Sequence, residues 1–343
     1  MKKGIILLMW FITFSQVHAT IITVDNNYPR IGNFPNLQEA HDAASSGDTL
    51  LVFPSSAHYQ AITLEKKLFI IGAGSELIGN TKITFLTGSL VFGPGSDGSV
   101  VSSFRSAYGS LVVDINASNI VLKRVHLKNL IVHENSCNVL ITGCNVSYFQ
   151  GIQMKLIEIL SGSNVLITNN IIRGTYPNSS GIYQGIVISN SNVLVKNNII
   201  QTTTSSWGGY CIQYSNSNVM VANNILLHGN MTIEEPCVYN NNIGIGINNS
   251  YTNLPSCGTS NITGNNSTDD IFIDYENGNY HLKEGSCAIG NGEGGTDIGI
   301  YGGEMPYLDG GYPELPAIYF LDVPLTGSQQ GGLPITIKAK TNN

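Results

Sequence analysis

Five stretches of the chain carry the same order of polar and apolar positions: Asn119-Ile-Val-Leu, Asn138-Val-Leu-Ile, Asn164-Val-Leu-Ile, Asn192-Val-Leu-Val and Asn218-Val-Met-Val. A Ser or Cys precedes each, and the Asn-to-Asn steps are 19, 26, 28 and 26 residues. Three stretches run on into a second Asn pair, at Asn169-Asn170, Asn197-Asn198 and Asn223-Asn224. Another short β-branched run leads into several of them, as in Ile186-Val-Ile-Ser and Ile212-Gln-Tyr-Ser. Repetition at this period is the mark of a solenoid, whose units stack because none can bury its apolar face alone. Short β-branched strands broken by Asn, Ser and Gly turns make each unit one coil of a parallel β-helix.

Coils rise by ~4.8 Å, so equivalent positions fall into columns. Asn170, Asn198 and Asn224 are expected to form one hydrogen-bonded ladder, with Cys144 and Val125 continuing its column. Asn also tolerates the left-handed backbone of a tight corner. By strand alternation, the residues one and three after each motif Asn point inward, and the residue two after it points outward. That outward residue is Val121, Leu140, Leu166, Leu194 or Met220. An apolar stripe of this kind is rarely left bare. The tail after Pro306, the stacked loops or a partner can cover it, and the chain's own tail or loops are the expected cover. If it stays open, Leu140, Leu166 and Leu194 offer a surface for self-association.

The repeat resembles that of the right-handed parallel β-helices of the pectin lyase-like superfamily, over roughly residues 20–303. The opening is similar too. Asn36-Leu-Gln-Glu-Ala-His-Asp-Ala-Ala reads as a short amphipathic helix, followed by Gly47-Asp48-Thr49-Leu-Leu-Val and Leu68-Phe-Ile-Ile-Gly. In that class the helix caps the open edge of the first coil. Tyr280-His-Leu-Lys-Glu-Gly-Ser-Cys-Ala-Ile and Gly294-Gly-Thr-Asp-Ile-Gly-Ile-Tyr-Gly-Gly resemble the closing segment of bacterial secreted members. The expected fold is therefore all-β: a single-stranded right-handed parallel β-helix with an N-terminal capping helix and an extended C-terminal tail. The expected division is 1–19 signal peptide, 20–303 β-helix and 304–343 a tail punctuated by Pro and Gly.

Composition refines this picture. Only 11% of the 343 residues are charged and the net charge is −7, so no basic footprint for nucleic acid exists. Lys2 and Lys3 precede the apolar run Ile5 to Phe14 and then Val17-His18-Ala19, the layout of a secretory leader cleaved after about Ala19. Its removal takes the charge to −9, and no other stretch approaches the ~20 apolar residues of a membrane span. Export, to the medium or the cell surface, permits disulfides. Cys237 with Cys257 is the preferred bridge and Cys137 with Cys144 a weaker one; Cys144 and Cys211 suit the interior equally well.

The segments 147–156, 173–184 and 201–210 enter the coil at one phase, so they should project from one edge, with 227–236 continuing the ridge. They carry Tyr148, Arg173, Tyr176, Tyr183, Gln184, Trp207, Tyr210 and His228. Aromatic faces beside amides hold sugar rings, which nominates Tyr148, Tyr176, Tyr183, Trp207 and Tyr210 as ligand-binding residues. The alternative is that these rings fold down and cover the outer wall.

Lyases on the resembling fold use carboxylate-held Ca²⁺ with an Arg or Lys base, and the related hydrolases use clustered Asp. Between residues 106 and 232 the acids are Asp114, Glu134 and Glu158, on different units, so the superfamily's catalytic residues do not carry over. The remaining candidates are Asp114 and His133, read as sharing one column with Glu134, Lys123 and Arg124 nearby; a solvated polar face is the plainer reading of them. The sequence thus points to a secreted or surface β-helix that interacts with carbohydrate or is structural. No metal site and no cofactor are expected, and Ca²⁺ enters only with a lyase. A divergent polysaccharide lyase or glycoside hydrolase, and an adhesin-like stalk, are the alternatives.

Overall fold

The computed structural model describes residues 19–76, 83–148, 153–174, 182–202, 209–232, 237–246, 254, 258–263, 267–327, 329 and 331–340. The leader expected at 1–19 therefore falls, but for Ala19, outside them.

The chain winds through three faces in turn, and each face is a column of parallel strands. The first face is built on pairings such as Ile21–Val24 with Thr49–Val52, Val139–Thr142 with Asn164–Thr168, and Asn192–Lys196 with Asn218–Ala222. The second contains Asn145–Tyr148, Ile171–Gly174, Ile199–Gln201 and Ile225–Leu227, each pairing with the next. The third is an eight-stranded parallel sheet from Thr63–Leu64 to Asn230–Met231. Strands Val100–Ser106 and Val121–Leu127 run across the corner between the first two faces, joining them into one continuous sheet. The result is an all-β parallel solenoid, as the repeat requires.

Inside it the expected alternation holds. Val139, Ile141, Val165, Ile167, Val193, Val195, Val219 and Val221 are at most 5% exposed. Ile141, Ile167, Val195 and Val221 lie in direct register along the first face. The helix Leu37–Ala43 follows the edge strand Ile21–Val24. Asn36 caps it by accepting from the Glu39 amide, and Leu37 and Ala40 are buried in the main core.

The Asn pair at each first-to-second corner divides two tasks between its members. The first residue takes the left-handed turn: Asn169, Asn197, Asn223 and Asn241 have φ between 54° and 57°, in one column with Arg124, Gly143 and Ser260. The second residue points inward and builds the ladder. Each Oδ1 accepts the backbone N–H one coil earlier: Asn170 from Cys144 at 2.8 Å, Asn198 from Asn170 at 2.9 Å and Asn224 from Asn198 at 2.9 Å. Two rungs not foreseen from the sequence, Asn242 and Asn261, extend it.

Cys144 occupies the rung before Asn170, and its Sγ contacts the carbonyls of Leu122 and Thr142. Those are the positions that Asn198 Nδ2 fills at Ile167 and Lys196. Cys144 and Cys137 are free thiols, which corrects the bridge considered between them: Cys144 is sealed in the core while Cys137 stays near the surface. Cys257 and the Cys237 side chain lie outside the described residues. Since an amide donates more strongly than a thiol, Cys144→Asn is expected to stabilise the protein by about 1 kcal/mol, read as a raised urea midpoint at unchanged slope. A lowered midpoint would show that the thiol is there for its volume.

The cover of the solenoid departs from expectation. On the outside of the second face, Ile171, Ile199, Ile225 and Ile243 are buried under Ile271, Phe272, Tyr280, Ile298, Ile300 and Tyr307, which form a second core. The segment from about 291 to 314 is a strap that returns along the corner and visits the coils in reverse order. Asn241 donates to the Asn291 carbonyl, Asn197 to Asp297 and Gly299, Asn169 to Ile300 and Gly302, and Arg124 to Tyr312. It ends on the early loop, where the Ser75 and Glu76 amides donate to Gly310. The chain's own closing segment therefore covers the second face, not the stripe of the first. Beyond it, Ala317–Asp322 and Thr336–Lys340 pair as an antiparallel hairpin.

Candidate functional site

The loop edge is the first candidate, and its feet stack as the equal phase predicts. Tyr148 registers with Gly174, Arg173 with Gln201, and Gln184 with Tyr210. The segments 149–152, 175–181 and 203–208 thus each link a second-face strand to a third-face strand at one corner. By contrast, 233–236 follows Asn230–Met231 of the third face and leads into Cys237–Asn240 of the first, so the expected continuation of the ridge stops short of it. Tyr176, Trp207 and the side chain of Tyr183 lie outside the described residues. Tyr148 is half-buried against the main core, with the Lys128 ammonium 4.5 Å from its ring centre. Tyr210 is half-buried at the start of the strand Tyr210–Ser215.

Several polar members of the ridge are engaged elsewhere. Arg173 bonds Gln201 and the Tyr280 hydroxyl and lies 5.4 Å from the Tyr275 ring centre. It belongs to the contact with the segment of Tyr275 and Tyr280 and is not free to meet a ligand. Lys155 pairs with Glu158 on its own strand, and Gln184 with Gln213. His228 is turned by a φ of 59° and largely buried, which lowers its pKa.

Asp114 and His133 do meet, with Nε2 to Oδ1 at 3.3 Å on the third face. They do not share a column: Asp114 registers with Ile131, and the His133 amide donates to the Ile115 carbonyl. The corner from Val132 to Asn138 is two residues longer than that from Ile115 to Asn119, which shifts the count by two. Nor do the cations assemble around the pair. Lys123 and Arg124 both reach Glu314 of the strap, at 2.6 and 3.2 Å, and Glu134 lies exposed in a turn. Among the described residues, no three His, Cys, Asp or Glu side chains converge as a metal site would require.

No protein-family model matches this chain, and no curated protein is found similar to it. Its reading therefore rests on its own geometry.

The second candidate is the bare stripe. Registration along the first face links Ile21, Thr49, Phe69, Val100, Val121, Leu140, Leu166, Leu194, Met220 and Val238. It is twice as long as the five motif positions implied, interrupted by the single polar Thr49. Between Leu140 and Val238 it floors an open groove of about 490 Å³, edged by Asn138, Asn164, Asn192 and Asn218. These amides hydrogen-bond in pairs, Asn138 to Asn119 and Asn192 to Asn164, each at 3.0 Å. A cleft of about 460 Å³ adjoins it at Leu140, between Lys123, Arg124 and the strap residues Glu304 to Leu308. No helix among the described residues is long and apolar enough to cross a membrane.

Proposed function

We propose that this chain is a secreted right-handed parallel β-helix of the pectin lyase-like kind, acting as a carbohydrate-interacting surface protein. The observation that carries the reading is the stacking of the loop feet at one edge. Tyr148 and Tyr210 stand at these feet, and the sequence between successive feet carries Tyr176, Tyr183 and Trp207. Flat aromatic faces repeated along a solenoid suit the rings of an extended polysaccharide, with neighbouring amides for its hydroxyls. The scattered acids and the engagement of Lys123 and Arg124 with Glu314 support binding over turnover.

One observation favours the enzymatic alternative: the Asp114–His133 contact can move a proton. A single glycan screen reading both binding and product release separates the two. Binding without product, weakened about tenfold by Trp207→Ala or Tyr210→Ala, is the expected result. Product that vanishes with Asp114→Asn and His133→Ala would transfer the function to the third face. Neither binding nor product would leave the structural stalk.

A further inference from the structure

We infer that the bare first face is the interface of a symmetric dimer, in which the stripe of one copy packs on the stripe of a second.

The length of the patch is the first reason. Ten strands in register at ~4.8 Å span ~43 Å, and four residues along each strand span ~13 Å. One copy then covers ~560 Å² and a face-to-face pair ~1,100 Å², just past the ~1,000 Å² that a specific interface needs. Ile21, at one end, is 70% exposed, and Met220, next to the other end at Val238, is 46% exposed. A patch of this extent is at the upper end of what a monomer exposes, where such patches are often functional.

Charge is the second reason. In the ten first-face strands, counting only Val100–Ser102 and Val121–Lys123 of the two that cross the corner, the charged residues are Lys123 and Lys196. The strap neutralises each, through Glu314 at 2.6 Å and Glu293 at 2.7 Å. A chain of net charge −7 would ordinarily repel its copies, yet the two lysines of this face are already paired. That leaves Lys67, 5.6 Å from the Phe69 ring centre, and Glu304 of the adjoining cleft as the charges nearest the stripe. Like therefore meets like at a small electrostatic penalty.

Periodicity chooses the occupant. A second copy has the same rise between side chains, so leucines of one stripe can seat between those of the other along its whole length. Flat many-stranded sheets are characteristically stabilised by such stacking, ~10 Å apart. A polysaccharide would want aromatic rings, and Phe69 is the single ring in the stripe. The chain's own hairpin does not serve, because Leu325, Ile335 and Ile337 beside it stand in solvent. Because each copy uses the same face once, assembly closes at two.

Sedimentation velocity on the full chain tests this over micromolar concentrations. The wild type should sediment as a dimer. Leu166→Lys with Leu194→Lys should weaken dimerisation at least ~100-fold, since four ammonium groups would face one another. The neutral pair Leu166→Thr with Leu194→Thr guards against misfolding: its urea transition should match that of the monomeric Lys variant while its dimer is weaker than the wild type's. A wild type that stays monomeric overturns the inference. So does a dimer indifferent to both pairs, or one lost instead on truncation after residue 316, which would assign the contact to the hairpin. The glycan screen is independent of these outcomes, because the loop edge lies at a different corner.

Discussion

Asn198→Leu is expected to destabilise the protein by about 3–6 kcal/mol. Asn198 is fully buried, and its Oδ1 accepts both the backbone and side-chain N–H groups of Asn170. Its Nδ2 donates to Ile167, Lys196 and the Asn224 side chain. Leucine fills the same volume but strands the backbone and side-chain N–H groups of Asn170. It also removes a donor from the carbonyls of Ile167 and Lys196, of which Lys196 keeps the Asn169 N–H. Each group left unsatisfied costs about 1–3 kcal/mol. Asn198→Asp is the sharper probe: it keeps the acceptor and turns the donor into an oxygen aimed at three others. It should be at least as damaging at pH 7 and recover in part when protonated. Asn192→Ala is the control, since its hydrogen bond to Asn164 is exposed and its loss should cost under ~0.5 kcal/mol. Urea unfolding followed by circular dichroism reads all three. Equal effects at 198 and 192 would sink the ladder as a source of stability.

The second large effect is on acid stability and comes from His126. Its ring is buried beside Arg105, its register neighbour on the second face, and burial first and that cation second push its pKa down to about 4. Nε2 meets the Ser147 hydroxyl at 3.1 Å while Nδ1 has no partner. In the unfolded chain the imidazole titrates near ~6.5. Between those values the unfolded state binds the proton and the folded state does not, so stability falls as pH falls from ~6.5 to ~4 and then levels off. The loss attributable to this ring is about 3 kcal/mol. His126→Gln, which can still meet Ser147, should flatten that limb. Parallel curves for variant and wild type between pH 4 and 7 would refute the assignment.

The interior of the solenoid could be read directly, because alternation and repetition are properties of the chain itself. The motif strands face as expected and Asn170, Asn198 and Asn224 stack as expected. Asn242 and Asn261 escaped because their steps shrink to 18 and 19 residues and the apolar quartet that flags earlier coils is missing. The stripe's extension to Phe69 and Ile21 was hidden because the early coils lack the motif Asn. The Asp114–His133 count failed on a corner two residues longer than its neighbour. The strap was least visible: corner Asn side chains recognise its backbone carbonyls, and every residue type carries a carbonyl. That same strap explains why Lys123 and Arg124, which look available in the sequence, are spoken for in the fold, and Tyr280 does the same for Arg173.

A solenoid whose coils touch only their neighbours frays from its ends, one unit after another. Here the corner of a late coil, at Asn241, and the early loop at Ser75 are bound to one continuous stretch of backbone. Loosening either end must release contacts along the whole stack. The strap therefore turns a row of local equilibria into a single cooperative transition, and it can do so only once the last third of the chain has been synthesised. Until then the coils are a nascent array held by nearest neighbours alone, with the isoleucines of the second face open to water.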